Sequence, residues 1–103
     1  MIIATTQTIG GKQIRETRGI VFGEVVKAVN FARNFSASLT RFTGGHVTEF
    51  EQELADVRAH AIGIMMQRAA DLGANAVVAV DFDYMMEDGM MFVSANGTAV
   101  VTD

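Results

Sequence analysis

The chain contains no cysteine and no proline, and charged residues make up only 19% of its 103 residues. Without cysteine there is no disulfide framework, no thiolate zinc or iron–sulfur site and no cysteine nucleophile. A bound metal ion would need histidine, carboxylate or methionine ligands instead. No linker or repeat interrupts the chain, so we expect one domain over residues 1–103.

Basic residues and long apolar runs are also scarce. Eight Lys and Arg stand against twelve Asp and Glu, which gives a net charge of -4. The basic residues are scattered, which argues against a surface for nucleic acid. No segment reaches the ~18 apolar residues of a membrane span, and the N-terminal stretch lacks the pattern of a signal peptide. We therefore expect a cytoplasmic protein that binds neither nucleic acid nor membranes.

Apolar side chains are in excess. Hydrophobic residues make up 50% of the chain and glycine adds ten more positions, above the roughly 45 to 50% that both classes together contribute to typical soluble domains. A chain of this size buries only about 60 to 65% of its unfolded surface by itself. Large apolar patches are typical of contacts with other subunits. The composition thus predicts a homo-oligomer.

The N-terminal half predicts the first part of a small, two-layer α+β fold. Residues 1–6 and 14–26 read as two strands joined by a turn at Gly10-Gly11, which would make an N-terminal hairpin. Gly19 and Gly23, inside the second strand, indicate a bulge or a close backbone contact. Phe and Leu residues at helical spacing then predict a first helix over residues 28–42.

A long amphipathic helix is predicted next. Thr48 and Glu51 form a T-x-x-E capping box at its start. The helix would run to about Leu72, and Gly73 suits the left-handed residue that ends a helix. Its length of roughly 37 Å leads us to expect that part of it lies over a neighbouring subunit or along an oligomer axis. The predicted apolar stripe comprises Phe50, Leu54, Val57, Ala61, Ile64 and Leu72.

The last third of the chain predicts a C-terminal β-hairpin. The Asp-Gly pair at 88–89 favours a two-residue type I′ turn, and the sequence alternates with period two on both sides of it. In that register Glu87 lies opposite Met90 and Val78 lies opposite Ala99. One face of the hairpin is then apolar, and the other face is mostly polar.

The polar face of this hairpin holds one pair of candidate metal ligands. Asp81 and Asp83 are two residues apart on a strand, so both carboxylates leave the same face, opposite Asn96 and Ser94. Two carboxylates suit a hard divalent cation but are too few for calcium unless Ser94, Asn96 or another subunit contributes. The alternative interpretation is a solvated or subunit-facing side of the strand.

The long helix holds a second set of candidates. Glu49, Glu53, Asp56 and His60 recur along one face, and Asp56 and His60, one turn apart, could both contact a metal ion. The alternative is a solvated helix face, since the Glu-x-x-His pattern of di-iron sites is missing. His46, in a glycine-flanked loop, is a further candidate ligand.

Methionine and catalytic motifs point to no further site. The seven methionines include three adjacent pairs, and thioethers bind Cu(I) when several converge, but packing in the core and at interfaces is the simpler interpretation. The motifs of hydrolases, zinc proteases, dinucleotide-binding folds and P-loops are absent. We expect no enzymatic activity and assign no catalytic residue. An enzyme would need a pocket between subunits that holds His60 or a carboxylate pair.

Four segments resemble a known family: RGIVFGE at 18–24, the Gly44-Gly45 pair before an acidic helix, LGANAVVAVDFDY at 72–84 and SANGTAV at 94–100. Their order and spacing are similar to those of the YbjQ family of small bacterial and archaeal proteins, over nearly the whole chain. The resemblance implies a compact α+β subunit, dodecin-like in outline, that assembles into a homopentameric ring. It also implies an unsettled function, since the family carries a heavy-metal-binding label without a defined ligand set and without agreed catalytic residues.

The sequence and the resemblance together lead to one functional expectation. We expect a ring-forming homo-oligomer that binds a divalent metal ion or a small ligand, with Asp81, Asp83, Asp56 and His60 as the candidate metal ligands. One alternative is a structural or interaction scaffold without a metal. The other is an enzyme with an active site between subunits.

Overall fold

The structure, a computed structural model, describes residues 1–28 and 48–103, and in the second segment it describes side chains from Glu51 onward. The predicted helix over residues 28–42 lies outside this part, apart from Ala28, which ends a strand. The elements are β1 (Ile2–Ile3), β2 (Ile14–Ala28), α1 (Thr48–Asp71), β3 (Ala76–Glu87) and β4 (Met90–Thr102). The strands form one mixed sheet in the order β1-β3-β4-β2. The predicted α+β class is confirmed.

The two N-terminal strands do not form the predicted hairpin. β1 pairs in parallel with β3, where Ile2 lies opposite Ala76, and β2 pairs antiparallel with β4 along almost its whole length. The turn at Gly10-Gly11 does form, with Gly11 at a φ of 76°. A strand of 15 residues gains many more backbone hydrogen bonds from the 13 residues of β4 than from the two of β1, which explains the different pairing.

Helix α1 ends close to the predicted residue, whereas the residues directly before Thr48 and the Thr48 side chain lie outside the described part, so the predicted capping box stays a prediction. Gly73 takes a φ of 81°. Its N–H donates to the carbonyl of Ala70 at 2.9 Å, and the N–H of Ala74 donates to the carbonyl of Ala69 at 3.1 Å. These are the two hydrogen bonds of a Schellman motif, so the predicted C-terminal cap is confirmed. In the described segments no helix is both long and apolar enough to cross a membrane.

One side of α1 is buried against the sheet. Val57, Ala61, Met65 and Ala69, each one helical turn from the next, are at most 2% exposed. Leu72, which the sequence placed on this stripe, is 43% exposed because α1 has ended before it. The sheet residues that share this core, on what we term the helix face, are Val21, Val77, Val80, Met91, Val93, Ala95 and Ala99.

The two glycines within β2 have separate roles. A Cβ atom on Gly23 would lie 1.9 Å from the carbonyl oxygen of Ala61 and 2.7 Å from the backbone nitrogen of Met65, so only glycine lets α1 lie this close to the sheet. Gly19 has a φ of 132° and follows a register shift that begins at Thr17. The predicted close contact and the predicted bulge are therefore both confirmed.

The C-terminal hairpin turns as predicted. Asp88 and Gly89 have positive φ values of 51° and 72°, as a type I′ turn requires. The predicted register holds from Glu87 opposite Met90 to Asp81 opposite Asn96. Over this stretch the turn alone sets which residues lie opposite one another.

Beyond Asp81 the predicted register is wrong, because β3 bulges. Ala79 has a φ of 54°, its N–H donates to the carbonyl of Thr6 at 2.8 Å, and Val78 lies opposite Thr98 instead of Ala99. The bulge inserts an extra residue and turns Val78 away from the helix face, into a second small cluster. Four consecutive apolar residues at 77–80 give no alternation from which this reversal could be predicted.

Candidate functional site

The two predicted strand carboxylates lie on the face of the sheet opposite α1, which we term the open face. Asp81 is opposite Asn96, and Asp83 is opposite Ser94. Both aspartates are exposed. Neither carboxylate has a hydrogen-bond or ion-pair partner among the described residues. The structure thus brings the pair together on one face, while their role as metal ligands stays a prediction.

A depression of about 380 Å³ lies over the part of the open face nearer the β3–β4 turn, and we term it the groove. Residues 24–26 of β2, 83–85 of β3 and 92–94 of β4 line it. Residues directly opposite each other in antiparallel strands point to the same face, so the register arranges the open-face side chains of the groove in two rows. The acidic row is Glu24, Ser94 and Asp83, and the apolar row is Val26, Phe92 and Met85.

The groove places negative charge beside exposed apolar surface. Val26 is 55% exposed and Met85 is 52% exposed, whereas the Ser94 side chain between the two carboxylates is small and leaves space above it. Ligand sites commonly combine apolar walls with a few polar groups that orient the ligand. The arrangement therefore suits a small molecule that has one polar end and one apolar end.

Arg68 of α1 approaches the groove from the side of β2, the strand that ends the described order. Its Nη1 donates to the backbone carbonyl of Phe22 at 2.8 Å and lies 3.9 Å from Oε1 of Glu24. The second distance exceeds that of a hydrogen bond, and both side chains are more than half exposed. Among the described residues, Glu24 therefore keeps most of its capacity to accept hydrogen bonds from a ligand.

Reasoning from the sequence identified Asp81 and Asp83 but missed Glu24 and the apolar row. The predicted N-terminal hairpin paired β2 with the wrong strand, and only the pairing of β2 with β4 brings Glu24 beside Ser94. One signal in the sequence could have placed Glu24. Successive residues of a strand point to opposite faces, and Gly23 faces α1, so Glu24 lies on the face that α1 does not cover. That signal identifies the face but not the neighbouring strand.

The candidates on α1 lie on the other layer of the fold. Asp56 and His60 are exposed, and the Asp56 carboxylate accepts a hydrogen bond from Nε2 of Gln52 at 3.0 Å. Glu53, from the same predicted stripe, forms an ion pair with Lys27. The structure therefore separates this stripe from the strand carboxylates and does not combine the two sets into one site.

The available ligand atoms do not complete a heavy-metal site within the described part of one chain. No three His, Asp or Glu side chains among the described residues are grouped so as to hold a metal ion, and cysteine is absent from the sequence. His46 lies outside the described residues. Asp81 and Asp83 offer hard oxygen ligands, which suit magnesium-like or calcium-like ions better than soft heavy metals.

Comparison with known proteins places this arrangement in a family. The model of the YbjQ family, described as "Putative heavy-metal-binding", matches residues 1–103. A UPF0145 protein of Clostridium botulinum (strain Eklund 17B / Type B) is 50% identical over 103 residues, which cover 97% of each chain. A UPF0145 protein of Listeria monocytogenes (serotype 4a) is 49% identical and is aligned over 100% of this chain and 96% of its own.

A solved structure supports the fold. The crystal structure of a protein with unknown function of the DUF74 family, from Pediococcus pentosaceus ATCC 25745, matches with a TM-score of 0.68 at 14% identity. The match covers 100% of this chain and 98% of that one. Similarity at this identity concerns the fold alone. Together with the match over residues 1–103 and the close relatives, it leads to the conclusion that the chain belongs to the YbjQ family.

Proposed function

We propose that the protein is a ligand-binding module that works as a homo-oligomer, a homopentameric ring, and holds a small ligand on the open face of its sheet. The groove is the observation that carries this proposal. Its volume of about 380 Å³ falls within the ~300 to 1,000 Å³ typical of small-molecule sites. Its apolar and acidic rows supply the two kinds of contact that such sites combine.

Exposed apolar side chains support self-assembly. On the open face, Ile20 is 71% exposed and Phe22 is 46% exposed, and at the N-terminus Met1 and Ile2 are 50% and 41% exposed. Neighbouring copies that cover part of this surface would account for the apolar surplus of the sequence. The number of five subunits follows from the resemblance to the YbjQ family.

A divalent metal ion is the second candidate ligand. Asp81 and Asp83 have no partner among the described residues, and Asn96 and Ser94 add two oxygen ligands opposite them. Hard divalent ions take about six or more oxygen ligands. Water or a neighbouring copy of the chain would therefore have to supply the rest.

Native mass spectrometry of the purified protein, before and after treatment with a chelator, tests both parts of the proposal. We expect the mass of five subunits. If a metal ion is bound, it should appear as an adduct that the chelator removes and that stands in a fixed ratio to the ring. Replacing both Asp81 and Asp83 by Asn should remove that adduct, whereas the control Glu87→Gln, which removes one negative charge from the same face outside the pair, should leave it. A mass of 11.1 kDa, that of the monomer, would contradict assembly.

A parallel pair of substitutions tests the helix candidates. If the metal were held by α1, Asp56→Asn with His60→Ala would remove the adduct and the strand variants would leave it. If neither metals nor small molecules raised the melting temperature in a concentration-dependent way, a scaffold without ligand would be the better account. The cytoplasmic location belongs to the same proposal, and cell fractionation tests it.

A further inference from the structure

We infer that the groove binds an organic cation with an apolar body, such as a primary amine or amidine carried on an aromatic or alkyl group. This inference rests on the proposed function in placing the ligand in the groove, and it adds the chemical class. Three features support this inference. The carboxylates of Glu24 and Asp83 lie on either side of Ser94, the apolar row lies beside them, and among the described residues both carboxylates remain able to accept hydrogen bonds.

The charged end of the ligand is selected by the acidic row. Glu24 and Asp83 lie on either side of Ser94. At the usual spacing of about 4.8 Å between strands their Cα atoms are roughly 10 Å apart, so an ammonium group above Ser94 can reach both carboxylates. The serine hydroxyl can accept a third hydrogen bond. Asp81, two residues along β3, adds negative charge and would repel an anionic ligand.

The body of the ligand is selected by the apolar row. Val26 and Met85 are more than half exposed, and Phe92 lies between them on β4. An aromatic ring within reach of a cation adds a cation–π attraction, and a thioether packs well against aromatic groups. A hydrated metal ion would leave this row uncovered, and a neutral apolar molecule would leave the carboxylates unused. Only a cation with an apolar body uses both rows.

The carboxylates are also available to a ligand. Among the described residues, Asp83 has no partner, and the basic contact of Glu24, to Nη1 of Arg68, is 3.9 Å long. The same Nη1 donates to the Phe22 carbonyl at 2.8 Å, a hydrogen bond that does not involve the acidic row. Within the described part of the chain, no hydrogen bond of the acidic row therefore has to break when a ligand binds.

The test uses the assembled full-length protein and three matched probes: 4-phenylbutylamine, the neutral 4-phenylbutan-1-ol and the anionic 4-phenylbutyrate. Titration calorimetry should show saturable binding of the amine, and binding about 10-fold or more weaker for the alcohol, because a hydrogen bond to a charged group exceeds a neutral one by about that factor. The butyrate should bind weakest. Added salt should weaken binding of the amine.

Variants locate the site. Asp83→Asn and Glu24→Gln each keep the size of an exposed side chain, and each should weaken amine binding by about 10-fold. Phe92→Leu should weaken amine binding, because the substitution removes the aromatic ring. Glu87→Gln, two residues beyond Met85 on the same face, is the control and should leave the affinity unchanged. Native mass spectrometry of each variant shows whether the assembly is intact.

The outcomes separate this inference from the proposed function. Equal binding of amine and alcohol, or amine binding that Asp83→Asn and Glu24→Gln leave unchanged, would overturn the inference. A ring that holds a metal adduct but no amine would overturn it and leave the proposed function standing. If the protein binds no amine and the groove variants change its subunit count, a neighbouring copy occupies the groove. That result would also overturn the inference. A monomer that still binds the amine in the groove would support the inference and refute the ring.

Discussion

Gly23→Ala tests the packing of α1 on the sheet most directly. The added Cβ atom would lie 1.9 Å from the carbonyl oxygen of Ala61 and 2.7 Å from the backbone nitrogen of Met65. Both are backbone atoms, so no side-chain rotation relieves the clash. Because ordinary contact begins near 3.4 Å, α1 and β2 would have to move apart by roughly 1.5 Å.

That movement disturbs a fully buried part of the core. Ala61 and Met65 are both 0% exposed, and a shift of the helix backbone opens space around each of them. Overpacking in a core typically costs about 1 to 3 kcal/mol. Since the clash here involves backbone on both sides, we expect a loss of about 3 kcal/mol in the free energy of unfolding, a large share of the ~5 to 15 kcal/mol that stabilises a typical domain.

Urea denaturation at one fixed protein concentration measures this loss, because subunit association makes stability depend on concentration. Gly63→Ala is the matched control. It lies on the exposed side of α1, where an added Cβ atom meets nothing within 4 Å, so it should raise the free energy of unfolding by about 0.5 to 1 kcal/mol. If Gly23→Ala were as stable as the wild-type protein, the packing of α1 against β2 described above would be refuted.

Substitutions at three further positions test other parts of the fold. Asn75→Ala removes a side chain that accepts from the Thr102 N–H at 2.9 Å and donates to the Thr102 carbonyl at 3.1 Å. It should lower the free energy of unfolding by about 1 to 3 kcal/mol, and no change in urea denaturation would mean that these bonds do not form. Gly73→Ala, at a φ of 81°, should cost about 1 kcal/mol, and an unchanged melting temperature would contradict the left-handed cap. Met65→Ala should cost about 2 to 5 kcal/mol and Met65→Leu less than about 1.5 kcal/mol. Equal losses for these two variants would argue against tight packing at that residue.

The features predicted correctly from the sequence are those that depend on a few adjacent residues. The glycine cap of α1 at Gly73 and the turn at Asp88-Gly89 each follow from the backbone preferences of those residues. The turn then sets the hairpin register as far as Asp81. Asp81 and Asp83 could be placed on one face without a structure because they lie two residues apart on a strand.

The tertiary structure decided which distant segments pair and what their pairing brings together. β2 could pair with either β1 or β4. The choice depends on the total number of hydrogen bonds and buried contacts that each pairing makes, and no short stretch of sequence shows that total. The bulge at Ala79 depends likewise on hydrogen bonds to the N-terminal segment. The groove joins Glu24 to Asp83 and Ser94, which lie 59 and 70 positions further along the sequence. Its acidic and apolar rows exist only because β4 lies between β2 and β3, whereas the sequence by itself determined the turns, the C-terminal end of the helix and the placement of the strand carboxylates.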